Sequence, residues 1–203
     1  MRAVRAVADV RGLPRTVFGH RALMWWGTMG FIIIEGTTLF ICVMTYFYLR
    51  RNNFTTWPPE HIYRPGLVAP TLQAVLMLAS ILPMRWVDRD SSRMDIRGVR
   101  SGLLVCSVLI LLMCVLRFFE FQALKVRWDT SAYGSAAWAV VFSHTTLLVL
   151  EAAETWTITA LMFSPTVEER DLSGVSDNAS YWYFLAGVWI PLYVAVYLSP
   201  YFM

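Results

Sequence analysis

Apolar positions in this chain fall into five long runs separated by short charged segments. Met24–Leu49 carries one charge, Glu35, and Leu67–Met84 carries none. Val99–Leu116 has only Arg100, at its start. Tyr133–Phe163 holds His144, Glu151 and Glu154, and Tyr181–Phe202 is free of charge. A helix rises about 1.5 Å per residue, so roughly 20 apolar residues cross the ~30 Å hydrocarbon core of a bilayer. The pattern predicts an all-α polytopic membrane protein. It has five transmembrane helices, over about 24–49, 67–84, 99–116, 133–163 and 181–202, in one domain covering 1–203. Pro70 and Pro83 near the ends of the second run leave a re-entrant segment as the alternative there. Proline is tolerated at a helix start, so the span is retained.

The segments between the runs orient the chain, because Lys and Arg accumulate on the cytoplasmic side. Arg2, Arg5, Arg11, Arg15, Arg21, Arg85, Arg89, Arg93, Arg97, Arg100 and Arg170 fall on one side, eleven in all. Arg50, Arg51, Arg64, Arg117, Lys125 and Arg127 give six on the other. The N-terminus is expected in the cytoplasm and the C-terminus in the periplasm. The first run is too long for a signal-peptide core and no small-residue cleavage site follows it. The Arg-rich opening, with Asp9 as its only acid, is also compatible with a mitochondrial transit peptide, but a positive-inside flank explains it more simply. The expected location is the bacterial inner membrane rather than the mitochondrial one. Trp25, Trp26, Tyr46, Tyr48, Trp86, Trp128, Tyr181, Trp182 and Tyr201 stand near run ends and are expected at headgroup level, with Trp25, Trp26 and Trp182 as the lipid-interface residues.

Composition agrees with lipid as the solvent. Hydrophobic residues are 57% of the chain and charged residues 15%, with a mean hydropathy of +0.52. Typical globular chains have roughly 45–50% apolar and about 25% charged residues. A net charge of +3, with its arginines beside apolar runs, gives no nucleic-acid face. Cys42, Cys106 and Cys114 lie inside apolar runs without a CxxC or a zinc-type histidine spacing, and read as packing residues. No internal repeat of 20–50 residues is visible.

Charge within hydrocarbon costs about 2.5–3.5 kcal/mol on insertion scales, so the ionisable groups inside the runs carry the functional information. Glu35 lies nine residues past Trp26, about 13 Å along a helix, too deep to snorkel. It must be neutral, paired or facing a polar interior. His144 and Glu151 lie within about 20° of each other around a helix, and Glu154 is three residues further on. One helix bearing a single histidine and two carboxylates is a weak metal signal. A polar seam against neighbouring helices is the preferred reading, with no metal and no catalytic residue assigned. Glu120 and Arg117, spaced i,i+3, are expected to form an ion pair at the membrane interface. Gly134-Ser135 is expected to allow close helix approach.

These residues carry a resemblance. Glu120-Phe121, Arg127-Trp128-Asp129, Tyr133-Gly134-Ser135, Trp138 and His144 resemble, in order, the corresponding stretch of the haem–copper oxidase subunit III family, whose members serve cytochrome c and quinol oxidases. Trp25-Trp26 through Glu35 to Phe40, the Trp57-Pro58-Pro59 loop, and Tyr181-Trp182-Tyr183-Phe184 with Val188-Trp189 and Tyr197 are similar to further family segments. The five spans resemble the short form of the family, which lacks two N-terminal helices. Departures are present. Leu147 stands where a second histidine is usual, Glu151 where a glycine is expected, and Tyr183 where histidine is preferred.

The resemblance implies a non-catalytic subunit with no cofactor of its own. The haem and copper would lie in partner subunits I and II. It implies packing on subunit I, phospholipid bound in a cleft, and support of proton uptake and turnover stability during reduction of oxygen to water. It places Glu35 as the buried carboxylate by the lipid cleft, with Glu120, Tyr133 and His144 in the core of the larger helix group. Two other readings stand beside it: an accessory membrane protein of nitric oxide reductase with the same fold, and a stand-alone membrane metalloenzyme or transporter using Glu35, His144, Glu151 and Glu154. The mid-membrane polar groups further imply that part of the apolar surface faces a larger partner rather than lipid.

Overall fold

The computed structural model describes residues 16–53, 56–165 and 167–202. Asp9 and the arginines at 2, 5, 11 and 15, which contribute to the orientation argument, lie outside the described residues. Five long helices follow a short 3-10 turn at Gly19–Arg21. They are α1 (Leu23–Asn53), α2 (Val68–Ser92), α3 (Ile96–Ala123), α4 (Ala132–Met162) and α5 (Asp171–Tyr193). A π-helical stretch, Val194–Leu198, and a last turn, Ser199–Phe202, extend α5. Five of these segments are long and apolar enough to cross a membrane, the fifth running Asp171–Phe202. No strand occurs among the described residues.

Four helices exceed the apolar runs that announce them, α1 by the four residues Arg50, Arg51, Asn52 and Asn53. α2 continues through Pro83 to Ser92, α3 runs on to Ala123, and α5 begins at Asp171, ten residues before Tyr181. Each extension carries polar or charged residues, alone or among apolar ones, as expected where a helix leaves hydrocarbon for the headgroup layer or turns its polar side chains inward. The ends are held locally. Asp95 caps α3 by accepting hydrogen bonds from the backbone N–H groups of Arg97 and Gly98 at 3.1 and 3.2 Å. Ser131 caps α4 by accepting from Gly134 N–H at 3.0 Å. Arg100 donates to the Met162 carbonyl at 2.6 Å, satisfying a C-terminal oxygen of α4. Pro191 precedes the π-helical stretch, consistent with the loss of one helical N–H donor there.

The buried positions alternate by three and four residues. In α3 they run Val99, Leu103, Cys106, Ile110, Met113, Arg117 and Glu120. In α4 they include Ala137, Val141, His144, Leu148, Glu151, Thr155, Thr159 and Met162. This spacing keeps one seam facing neighbouring helices, and the charged and polar members occupy core positions of that seam. α5 packs on α1, α2 and α4, while α3 lies between α2 and α4. α1 touches mainly α4 and α5 and is the most exposed of the five spans.

Gly102 faces Val87 closely enough that a Cβ would collide with it, so a small residue sets the α2–α3 approach. Gly134 serves a different purpose from the helix contact expected of it. A Cβ there would strike the Arg127 carbonyl, so the glycine admits the backbone of the preceding loop. Ser135 reinforces that contact by donating to the Trp128 carbonyl at 2.6 Å.

The interfacial aromatic residues divide. Trp26, Tyr48, Trp86 and Trp128 are exposed. Tyr46, Tyr181 and Trp182 are buried against neighbouring helices rather than exposed on the outer surface of the bundle. Trp182 lies eleven residues inside α5, and its indole N–H donates to Ser80 of α2 at 2.9 Å. That bond satisfies the only polar atom of the indole within the bundle. All three cysteines are free thiols, Cys106 fully buried and Cys42 and Cys114 partly buried against the core.

Candidate functional site

The intramembrane ionisable residues form two groups rather than one seam. The first joins α3, α4 and α5. Arg117 is 2% exposed, and Glu120 and His144 are fully buried. The Arg117 guanidinium donates through Nη1 to Glu120 Oε2 at 2.6 Å, and its Nη2 lies 3.0 Å from His144 Nδ1. His144 Nε2 lies 3.2 Å from the Leu185 carbonyl. These partners fix the imidazole. A carbonyl can only accept, so Nε2 carries the hydrogen, and guanidinium can only donate, so Nδ1 presents its lone pair. The guanidinium carbon sits 4.1 Å above the Trp189 ring centroid, and that ring is 4.7 Å from the His144 ring. Cation–π attraction thus covers the face of the charge that the carboxylate leaves open.

The Arg117–Glu120 pair was expected at the membrane interface. It lies inside the bundle, one face of its guanidinium on an indole from another helix. Arg117 therefore leaves the set of loop cations, and the side with fewer cations keeps five of its six. Tyr133, also fully buried, belongs to an aromatic cluster beyond this network, its ring 5.1 Å from Trp57 and 6.2 Å from Tyr46. Both imidazole nitrogens are engaged and Glu120 Oε2 rests on the guanidinium, while Glu120 Oε1 and Arg117 Nε are buried without a hydrogen-bond partner. The chemistry of this group is adhesive: three helices are tied through one charge.

The second group faces a cavity of about 710 Å³ bounded by α1, α4 and the Tyr181 turn of α5. Glu35, Glu151, Glu154 and Tyr181 supply its ionisable lining, and Trp26, Phe31 and Leu150 supply much of its apolar lining. Tyr181 donates a hydrogen bond to Glu35 Oε2. Glu35, isolated in the sequence, therefore has a partner on another helix. Glu151 is 1% exposed; its Oε1 accepts from Asn178 Nδ2 at 2.9 Å and from the Thr155 hydroxyl at 3.5 Å. Its Oε2 is buried without a hydrogen-bond partner. Glu154 is exposed on the same helix, and electrostatic interactions link Glu151 to both Glu35 and Glu154.

α4 thus carries His144 and Glu151 along one buried seam, but the two residues enter different networks. Sequence reasoning did not single out Asn178, Leu185 or the partner roles of Trp189 and Tyr181. The three-and-four spacing of buried positions in α3 and α4 points inward at Arg117, His144 and Glu151, and is the available signal. The partners themselves stand 27 to 146 residues away. Among the described residues, no group of three or more His, Cys, Asp or Glu side chains is placed to hold a metal ion.

Five membrane-length helices, a buried Arg–Glu–His junction and an acidic cavity beside the most exposed helix define an integral membrane protein built around buried polar contacts. Comparison with known proteins is specific about its kinship. The family described as cytochrome c oxidase subunit III matches residues 5–201, and the chain belongs to that family. It is similar to cytochrome c oxidase subunit 3 of Synechocystis sp., 23% identical over 185 residues, covering 89% of this chain and 77% of that protein. It is also similar to the subunit 3 proteins of Loxodonta africana and Mammuthus primigenius, each 25% identical over 144 residues, or 70% of this chain. The chain spans about half the length of those two mammalian proteins, 54% in each case.

Proposed function

We propose that this chain is a non-catalytic subunit III of a respiratory haem–copper oxidase that reduces oxygen to water. It packs on the catalytic subunit I, with subunit II in the same complex, and those partners carry the haem and copper. It binds phospholipid in the cleft beside Glu35 and supports proton uptake and stability during turnover. The observation that carries this reading is the family match across residues 5–201, nearly the whole chain. The cavity beside Glu35, lined by Trp26, Phe31 and Leu150, has the volume and apolar wall that an acyl chain requires. The chain covers a larger share of the cyanobacterial relative than of the mammalian ones, which favours a bacterial cytoplasmic membrane. With Arg117 inside the bundle, the charge bias of eleven against five supports a cytoplasmic N-terminus.

Purification of the tagged chain in mild detergent tests the reading. Co-elution with a haem-bearing subunit that reduces oxygen is the expected result. Co-elution with a haem protein that turns over nitric oxide but not oxygen would replace it with the nitric oxide reductase reading. A chain that elutes alone would refute both.

A further inference from the structure

The turn from α2 into α3 carries more positive charge than the chain itself answers. Arg85, Arg89, Arg93 and Arg97 are all exposed there, and among the described residues none of the four forms an ion pair with a carboxylate. The three acids of the same segment are engaged in the fold. Asp88 Oδ1 accepts from the Ser176 hydroxyl of α5 at 2.7 Å. Asp95 Oδ1 accepts from the backbone N–H groups of Arg97 and Gly98. Asp90 is buried, and its carboxyl lies so close to Gly98 that a Cβ there would collide with it. Two of the three carboxylates thus rest against the positive end of the α3 dipole. Beyond the arginines the surface changes in the order that a bilayer leaflet does. Trp86, 48% exposed, follows Arg85, and Leu82, 71% exposed, lies one helical turn deeper on α2. On α3, Leu104, Val105, Val108 and Leu109 line a shallow apolar groove of about 320 Å³. Leu104 is seven residues past Arg97, about 10 Å along the helix, which is deeper than the ~5–8 Å headgroup layer of one leaflet. Guanidinium, indole and aliphatic surface therefore stand at phosphate, interface and acyl-chain depth.

We propose that the α2–α3 turn is a binding site for the headgroup of an acidic phospholipid, held by Arg89, Arg93 and Arg97, with its tails along Leu82 of α2 and the Leu104–Val108 groove of α3. The site is built from α2 and α3, apart from the cavity that α1, α4 and α5 enclose. It rests on the membrane-spanning fold alone and is independent of the oxidase-subunit reading. Charge selects the class of lipid. A zwitterionic headgroup brings an ammonium that needs an acceptor, and the carboxylates of this turn already have their donors. A headgroup with a phosphate and no cation matches the unpaired guanidiniums, whose planar fork of donors suits phosphate oxygens. Arrangement selects a lipid over an acidic segment of another protein. The three arginines lie on two helix ends, within one helical turn of the bend, above exposed apolar surface. One phospholipid answers both the charge and the apolar surface beneath it.

The test uses the tagged full chain, purified in mild detergent with whatever subunits accompany it, delipidated and titrated with dioleoylphosphatidylglycerol. Dioleoylphosphatidylcholine is the zwitterionic comparison. Each guanidinium beside an anionic headgroup is worth about five-fold in affinity, so Arg89→Gln/Arg93→Gln/Arg97→Gln should weaken phosphatidylglycerol binding about 100-fold while phosphatidylcholine binding stays at the wild-type value. Wild-type protein that binds the two lipids alike would overturn the proposal, and so would a triple variant that keeps the preference. Inorganic phosphate at millimolar concentration should not displace the lipid, because it has no tail for the apolar surface; displacement would overturn the lipid assignment in favour of a free anion. Cryo-electron microscopy of the wild-type protein decides the matter independently of how the variant folds. A lipid phosphate within hydrogen-bond distance of Arg89, Arg93 or Arg97 is the expected result. A carboxylate of another protein chain in that place would overturn it.

Discussion

Glu120 and Glu151 are both buried glutamates on helix seams, yet they stand in opposite situations. Glu120 meets an arginine three residues earlier on its own helix, and that arginine is in turn held by His144 and the face of Trp189. Glu151 meets only neutral donors and lies beside a cavity that holds two further carboxyls, although each glutamate keeps one buried oxygen without a hydrogen-bond partner, Oε1 in Glu120 and Oε2 in Glu151. The first group is closed: its charge is answered within the chain. The second is open, and its answer must come from protons, lipid or a partner. Burial alone therefore does not separate the two carboxylates; the presence of a cation beside one and not the other does.

The closed group gives the largest expected effect. Arg117→Met leaves Glu120 buried without its cation, and removing one member of a buried pair typically costs about 3–5 kcal/mol. The expected result is a large fall in the thermal midpoint of the isolated chain in mild detergent. Adding Glu120→Gln to that variant should restore most of the loss, because no uncompensated charge then remains. A double variant no more stable than the single one would mean that Arg117 acts through Trp189 packing rather than through charge.

Gly134→Ala probes the same end of α4 without touching charge. Its Cβ meets the Arg127 carbonyl, and the backbone must move to admit it. Such overpacking usually costs about 1–3 kcal/mol, again read as a thermal midpoint. Trp182→Phe removes the hydrogen bond to Ser80 between α5 and α2, while Ser80 keeps its own bond to the Met77 carbonyl. A loss of about 0.5–1.5 kcal/mol is expected. A much larger fall would show that the indole fills volume that a phenyl ring cannot.

The smallest effect belongs to the loop before α4. Arg127 donates two hydrogen bonds to Asp129, which hold that carboxyl below the ordinary carboxylate range. A depressed native pKa stabilises above the unfolded pKa and is lost as pH falls through the native one. The pair is solvent-exposed, so Asp129→Asn should leave the thermal midpoint unmoved between neutral and mildly acidic pH.

The sequence made the five spans visible because hydropathy reports apolar side chains whether they face outward or into the bundle, and half of the most hydrophobic stretch of the fifth span is buried. It placed their ends less well. Asp177 and Asn178 are buried against neighbouring helices, so the polar start of α5 reads as a loop in any hydropathy profile. The Arg117–Glu120 pair was legible from its i,i+3 spacing; its depth was not, because the neighbours that tolerate a buried guanidinium lie on α4 and α5. His144 and Glu151 were legible as one helical face. Their separation into two networks depends on Leu185, Asn178 and Tyr181, whose proximity exists only after folding. Glu35 illustrates the same limit: its spacing shows that it needs a partner, and only the fold shows that Tyr181 provides one.

The most direct test of the division between closed and open carboxylates is a paired thermal measurement on the isolated chain in mild detergent. Arg117→Met should fall well below wild type, whereas Glu35→Gln/Glu151→Gln/Glu154→Gln should stay within about 1 kcal/mol of it, because glutamine keeps the existing hydrogen bonds. Equal destabilisation by the two variants would contradict the account, since the cavity acids would then be part of the scaffold rather than free to serve a partner.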